Sequence, residues 1–407
     1  MRIFTLCLYL LIGTVLLGQP LELSLDQAQQ KALELNRNAQ ISKLEIEKAK
    51  YIVKETLAIG LPQVNAEGSF QNFLDIPTTV LPDFISPTVY QVLIDEELVP
   101  EGSGGQPGLV PAQFGTEYNV SGGVSLSQLI FNGSYLIGLQ AAKTYLELSK
   151  VQDLKTTMEV KEAVTMAYTT ALIAKENTPV LRDSQEKLRE MLTEIEALYA
   201  EGFVEEQDVQ QMRLTLNTLS SQVRNAERQE ELTMQLLKFQ IGIGLDQSIA
   251  LSDDINSLAA QMDVSSLLAD AVPTVEDHPD RVATQTNIDI QRLRLREQRS
   301  RYLPVLSGFV SHSQQAQRNE FDFFEGGGEW FPNTVWGINL QVPVFSSGMK
   351  ASAVKQREVD LKQAEIMDDQ TREALQISAI QSRSEYLYAL DSYETAVENL
   401  DIAISIR

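Results

Sequence analysis

Tyr199-Ala200-Glu201-Gly202-Phe203-Val204-Glu205-Glu206-Gln207-Asp208-Val209 reads as a short turn between two long helical patterns. Gly202 follows the incoming helix, where a residue free to take positive φ ends it at little cost. Asp208 stands where an N-cap opens the outgoing helix. Beyond the turn, Val209, Met212, Leu216, Leu219, Val223 and Ala226 recur at alternating spacings of three and four, the heptad seam of a coiled coil. Before it, Leu181, Leu188 and Ile195 stand seven apart, and Met191 and Leu198 share their stripe. So short a turn forces the helices antiparallel, seam to seam. The stretch predicts a coiled-coil hairpin.

The 407 residues allow two or three ordinary domains or one elongated architecture. A formal charge of −23 argues against nucleic-acid binding, which needs a basic face. Solubility and a solvated helix surface explain that charge, and an acidic conduit favouring cations is the sharper reading. The one cysteine, Cys7, lies in an N-terminal apolar stretch. Arg2, the apolar run Ile3–Leu17 and small Gly18 read as a secretory signal peptide, since the run is too short to span a bilayer. The mature chain then holds no disulfide or thiolate site. No later run approaches the roughly 18 apolar residues of a membrane helix, so any crossing must be made by strands.

Outward from the hairpin, the pattern changes twice in each half. Residues 21–60 predict a helix capped by Ser24 or Asp26. At Gly60-Leu61-Pro62 the period becomes two, with Val64, Ala66, Gly68 and Phe70 against Asn65, Glu67, Ser69 and Gln71. Residues 75–117, rich in Pro and Gly, read as a long exposed loop of the kind membrane barrels carry on their outer side. Alternation returns at Tyr118–Leu126 and ends at Phe131-Asn132-Gly133. Ser134–Ala200 is helix-compatible, about 100 Å long at about 1.5 Å per residue, with a kink or break expected near Asn177-Thr178, ahead of Pro179. The outgoing helix ends at Gly242-Ile243-Gly244.

The order then repeats. His278-Pro279-Asp280 opens a helix through Arg301, and Leu303-Pro304 closes it 242 residues (303 less 61) after Leu61-Pro62. Strand alternation resumes at Leu306, Gly308 and Val310. It returns after an aromatic loop as Trp336, Ile338, Leu340, Val342 and Val344, with Asn339 and Gln341 on the other face. Phe345-Ser346-Ser347-Gly348 echoes Phe131-Asn132-Gly133, and a second long helix follows, with a seam at Leu390, Tyr393, Val397, Leu400 and Ile404. The protein is an internal duplication. Its organisation is a leader at 1–18, a helix at 19–60, and a first strand pair with its loop at 61–132. A long hairpin follows at 133–244, with its tip at 199–208, and then an equatorial segment at 245–272. The second repeat has a helix at 273–302, a strand pair at 303–346 and a long helix at 347–407. Four half-apolar strands suit a wall between lipid and water, but four cannot close a barrel. Three copies give twelve strands, which can.

The junctions Leu61-Pro62-Gln63-Val64 and Leu303-Pro304-Val305-Leu306 recur with the strand-to-helix transitions ending at Gly133 and Gly348, and with the Tyr199–Val209 tip. In that order and spacing the chain resembles the TolC family of outer-membrane efflux and secretion channels over nearly all of its length after the leader. The resemblance implies a mixed α and β fold in a homotrimer, with a shared 12-stranded β-barrel in the outer membrane and an α-barrel tunnel across the periplasm. It implies passage of substrate without chemistry, and docking to a periplasmic adaptor (membrane fusion) protein that links the channel to an inner-membrane pump. Gly202, Phe203, Val204 and Asp208 fall at the docking tip. Leu198 stands where the family often has Arg, a departure that bears on adaptor choice.

The residues show no enzyme constellation and call for no cofactor. His278 and His312 lie in different elements, without the companions of a metal site; helix capping and lumen lining are the expected roles. Gly326-Gly327-Gly328 lacks the Lys-Ser/Thr of a phosphate loop. Glu205, Glu206 and Asp208 read as helix-end solvation and capping. Trp330, Phe331 and Trp336 read as an interfacial girdle. A periplasmic adaptor or a coiled-coil surface stalk would share the helices but not the two strand pairs. On the first repeat's spacing, the second tip would fall at about position 417 and its return helix would end near about 459, beyond Arg407. The chain is therefore expected to be an incomplete channel, lacking the return helix and the tip residues that in this family narrow the entrance.

Overall fold

The computed structural model describes residues 21–104, 108–261 and 275–406. The expected signal peptide lies outside them. The chain divides into two compact units. One is drawn from Met1–Val53, Gln140–Leu295 and Gln356–Arg407, the other from Lys54–Leu139 and Arg296–Lys355.

The first unit is helical. Where the sequence predicts one helix over 21–60, the structure has strand β1 (Leu21–Leu23), α1 (Leu25–Leu35) and α2 (Arg37–Ile59). Ser24 caps α1, its Oγ accepting from Gln27 N–H while Gln27 Oε1 accepts from Ser24 N–H. The break falls at Asn36, which is buried. Its Nδ2 donates to Gln240 O at 2.7 Å, and its Oδ1 accepts from Asn38 N–H at 2.8 Å. An amide that satisfies a neighbouring helix end and caps the next helix outweighs continuity. Gly242 makes that approach feasible, because a Cβ on it would lie 2.4 Å from Leu35 O.

Helix α4 (Gly133–Ala200) continues through Pro179 without a break. Proline removes a single N–H, and the flanking turn holds. Thr178 beside it is buried, and its Oγ1 donates to Ala174 O at 3.1 Å. α5 (Glu206–Ile241) returns antiparallel, and Gly242 ends it at φ +91°. Val209 and Val223 are buried, and the rest of the predicted α5 seam is half-buried. On α4 the half-buried stripe is Leu181, Gln185, Leu188, Leu192 and Ile195, while Met191 and Leu198 lie off it, exposed. Arg182 to Glu227 (2.6 Å), Gln185 to Ser220 (2.8 Å) and Arg213 to Glu196 (2.7 Å) fasten the two helices.

The segment after α5 forms β6 (Ile249–Leu251), parallel to β1, and α6 (Ile255–Gln261); the rest of the predicted equatorial segment lies outside the described residues. The core gathers beneath this pair, from Ala28 and Ala32, Val164 and Tyr168, Leu237 and Ile241. Tyr168 Oη donates to Leu23 O at 2.9 Å and accepts from Asp253 N–H at 3.4 Å. Burial pushes its phenol up to about 12. α7 (Pro279–Ser300) and α8 (Met349–Ile406) complete the helices.

The second unit is built on one antiparallel sheet, ordered β2 (Gln63–Asn72), β5 (Tyr118–Phe131), β7 (Val305–Arg318), β8 (Phe331–Gln341). β8 stops before Val342 and Val344, which the alternation had included, because Pro343 has no N–H to donate. The loop expected over 75–117 is structured. It holds the hairpin of β3 (Thr78–Pro82) and β4 (Leu109–Gln113), with α3 (Ser86–Asp95) between them. Composition hid this hairpin, since Pro82 and Pro111 read as breakers while sitting in a two-stranded ladder with open edges.

Candidate functional site

The candidate sites are the faces of the four-stranded sheet, the strand–helix junctions and the hairpin tip. The sheet is continuous in register. Val64, Leu126, Val310 and Trp336 form one row across all four strands, and Asn65, Ser125, Ser311 and Val335 form the next. Since successive side chains leave a strand on opposite faces, the sheet separates its chemistry. One face carries Val64, Phe70, Val120, Val124, Leu126, Val310, Trp336, Ile338 and Leu340. The other carries Asn65, Glu67, Ser69, Ser121, Ser125, Ser307, Ser311, Ser313 and Asn339, interrupted by Leu129, Val305, Phe309, Phe331 and Val335. Ser69 and Ser121 share a hydrogen bond of 2.7 Å on the polar face. Trp336 is 74% exposed and Ile338 64%, so the apolar face is uncovered within one chain. The edges β2 and β8 each have one partner among the described residues.

His312 corrects an expectation. It registers with Val124 and Thr334, placing it on the apolar face rather than the polar one, and its Nδ1 lies 2.7 Å from Thr334 Oγ1. His278 sits at the start of α7, its Nδ1 accepting from Asp280 N–H at 3.2 Å. The expected aromatic girdle also divides. Trp336 is on the apolar face, Phe331 pairs with Gln315 on the polar face, and Trp330 packs near Phe323 at 6.4 Å. An odd separation between Phe331 and Trp336 puts them on opposite faces of one strand. What the sequence missed is a cluster at the end of the sheet. Phe321 meets Phe70 edge-on at 5.7 Å, Tyr118 at 6.0 Å and Phe323 at 5.7 Å, with Arg318 over the Phe323 ring at 5.0 Å.

At the junctions, Leu61-Pro62 and Leu303-Pro304 follow α2 and α7, and Leu61 and Leu303 are exposed. Gly133 starts α4 in a tight place, where a Cβ would meet Leu303 Cδ1 at 2.9 Å and Ser300 Cβ at 3.1 Å. Gly348 precedes α8 in open space at φ +81°. The two glycines thus serve different needs, close approach and backbone conformation.

At the tip, Gly202 has φ +78° and nothing near its missing Cβ. Phe203 is 77% exposed, the end of the hairpin offering an uncovered ring to water. Asp208 is not the N-cap. Glu205 takes that position, and Asp208, three residues on, accepts from Glu205 N–H at 3.2 Å. A carboxylate in the first turn satisfies the cap from inside the helix as well as from before it.

Among the described residues no group of three His, Cys, Asp or Glu is placed to hold a metal ion, and no helix is long and apolar enough to cross a membrane. No family model matches the chain, and no curated protein matches it in sequence. Solved structures do match. The CmeC outer membrane channel of Campylobacter jejuni is similar at 17% identity and a TM-score of 0.64, over 93% of this chain and 76% of that one. The outer membrane protein VceC of Vibrio cholerae is similar at 15% identity and 0.63, over 94% and 84%. CusC is similar at 14% identity and 0.63, over 92% and 79%. CmeC is an outer membrane channel, CusC forms a transmembrane channel, and VceC is an outer membrane protein. The chain has the fold of the TolC-family outer-membrane channels.

Proposed function

We propose that this protein is an outer-membrane exit duct, serving a tripartite efflux pump or a type I secretion system. The observation that carries the reading is the two-faced sheet with open edges. Lipid does not tolerate unpaired strand edges, and an apolar face next to a serine-rich one suits a wall with lipid outside and water inside. Three copies bring twelve strands, enough to close one barrel, and their helices form an α-barrel in the periplasm. Substrate then passes through without reaction. Gly202, Phe203, Val204 and Asp208 dock a periplasmic adaptor, which joins the duct to an inner-membrane pump. Leu61-Pro62 and Leu303-Pro304, with Gly133 and Gly348, turn the chain between membrane strands and periplasmic helices. The exposed ring of Phe203 beside a glycine turn supports the tip reading, since it is a ready anchor for a partner helix pair.

Purified protein incorporated into a planar bilayer tests the duct. Discrete conductance steps are expected, and a polar-face charge change such as Glu67→Lys should shift their cation preference. A bilayer that stays sealed with folded protein inserted contradicts the proposal.

A further inference from the structure

The two repeats differ in charge where their helices meet their strands. Offsets of 242 residues for α2 and α7 (Leu61 to Leu303) and 215 for α4 and α8 (Gly133 to Gly348) align them. Residues 296–301 and 350–355 carry five cations and one carboxylate, Glu297, in a chain of net charge −23. Their counterparts, 54–59 and 135–140, carry one of each, Lys54 and Glu55. Arg301 stands where the first repeat has Ile59, and Lys350 where it has Tyr135. At the other end of the same sheet the chain is acidic, with seven carboxylates and neither Lys nor Arg in 75–117.

Packing does not call for this charge. Lys350 Nζ donates to Arg301 O at 2.6 Å, just past the end of α7. Tyr135 Oη makes the matching reach to Leu57 O in the last turn of α2, at 3.3 Å. A neutral donor therefore serves that contact. Cations at the end of α7 complement its dipole, which accounts for Arg299 and Arg301 but not for Lys350 in the first turn of α8. Lys350 has no carboxylate partner among the described residues, and its ammonium lies 5.4 Å from the centre of the Tyr302 ring.

Arg301 and Lys350 line one cavity of about 170 Å³, with Asn132, Ser134, Ser300 and Gln341 also on its wall and no carboxylate among the described residues there. Asn132 Oδ1 is occupied by the amides of Ser134 and Tyr135, at 2.9 and 3.2 Å, which leaves its Nδ2 to donate. We propose that this cavity binds a phosphate group, held by the Arg301 guanidinium and the Lys350 ammonium with amide donors from Asn132 and Gln341. Two cations match a charge of up to about −2, and a planar guanidinium beside a point charge is the pairing that phosphate oxygens favour. The phosphate comes from a phospholipid headgroup or from solution. Val305 and Gln341, paired in the polar row, bring the site toward the water side of the sheet. Val344 and Phe345, 91% and 86% exposed, set apolar surface after the same strand, where acyl chains would lie. The lipid source rests on the reading of the protein as a membrane duct; the phosphate site does not.

Isothermal titration of the full chain in nonionic detergent tests it, with inorganic phosphate, short-chain phosphatidylglycerol or short-chain phosphatidylcholine as titrant. Phosphatidylglycerol should bind at least about tenfold more tightly than phosphatidylcholine, whose choline cancels the charge, and rising salt should weaken it. Inorganic phosphate that saturates at one per chain and displaces phosphatidylglycerol identifies a free-phosphate site; phosphatidylglycerol that it does not displace identifies a headgroup site. Arg301→Gln with Lys350→Gln should weaken either ligand roughly thirtyfold, at about fivefold per cation. Arg301→Lys with Lys350→Arg should keep binding within a few-fold, and Lys50→Gln with Lys362→Gln, equal in charge change but elsewhere, should leave it unaltered. No uptake of phosphate or phosphatidylglycerol overturns the proposal, as does binding that survives unchanged in folded Arg301→Gln with Lys350→Gln, or is lost equally in Lys50→Gln with Lys362→Gln. Conductance in a phosphatidylcholine bilayer separates the two readings. Protein that conducts but takes up neither ligand overturns the site alone; protein that binds phosphate but leaves the bilayer sealed overturns the duct alone.

Discussion

Replacing Ile338 by Lys, and separately Asn339 by Lys, probes the two faces of the sheet one residue apart. Ile338 registers with Gly308 on the apolar face, and Asn339 with Ser307 on the polar face. β8 has 11 residues. At about 3.4 Å each and a tilt of about 45° it rises about 25 Å, the height of the apolar band. Its midpoint is Trp336, so Ile338 lies about 7 Å further along the strand and about 5 Å from the midplane in depth. A lysine costs about 2–4 kcal/mol at the midplane and falls off toward the interfaces, which puts Ile338→Lys near about 2 kcal/mol per chain. That is a roughly thirtyfold loss in the folding equilibrium. Asn339→Lys exchanges one water-facing polar group for another and should stay within about 0.5 kcal/mol. The assay is heat-modifiable gel migration after folding into lipid vesicles across a urea series. A lower midpoint for Ile338→Lys, with Asn339→Lys near wild type, is expected. The reverse order would refute the assignment of faces and show that the apolar row is turned to the lumen.

Other perturbations read the helical unit. Gly202→Val forces a β-branched residue to φ +78° at an open turn, a local cost of about 1–3 kcal/mol, so assembly should persist while dye export from cells falls. Loss of assembly would make the turn structural instead. Gly242→Ala shares the positive φ but also drives a Cβ into Leu35 O, so its urea midpoint should fall further than that of Gly202→Ala. Arg281 pairs with Asp368 where both side chains are nearly buried, and Arg281→Ala should destabilise by about 3–5 kcal/mol, because it strands a buried carboxylate. Chemical denaturation checks this, and a change under about 1 kcal/mol would show the site is wetter than the structure implies. The Tyr168 phenol is held at about 12 by burial, above its ordinary value of 10.0. The folded state thus keeps the proton longer than the unfolded state, so stability is complete below pH 10 and declines as pH rises toward about 12. Tyr168→Phe should abolish that decline; an unchanged alkaline limb would assign it elsewhere.

Much of this architecture was legible because it is periodic. Heptad spacing located the α4–α5 hairpin, and alternation located four strands whose register then paired Val64, Leu126, Val310 and Trp336. What escaped reading was set by contacts distant in sequence. Nothing near Asn36 announces a break, since its cause is the carbonyl of Gln240 and the approach of Gly242. Nothing near Pro179 shows that a 68-residue helix holds through it. The misplaced girdle and His312 were readable, because parity along β7 and β8 alone separates Phe331 from Trp336 and puts His312 with Val310. At the tip, the local pattern placed the turn, but a carboxylate caps a helix start either from the N-cap, accepting from amides of the first turn, or from three residues on, accepting from the N-cap amide, and Asp208 does the second.

Four strands per chain leave the barrel to be closed by other copies. Light scattering with correction for bound detergent, on protein extracted from membranes, tests it most directly. One species with three times the protein mass of a single chain is expected. A monodisperse, folded monomer would contradict it.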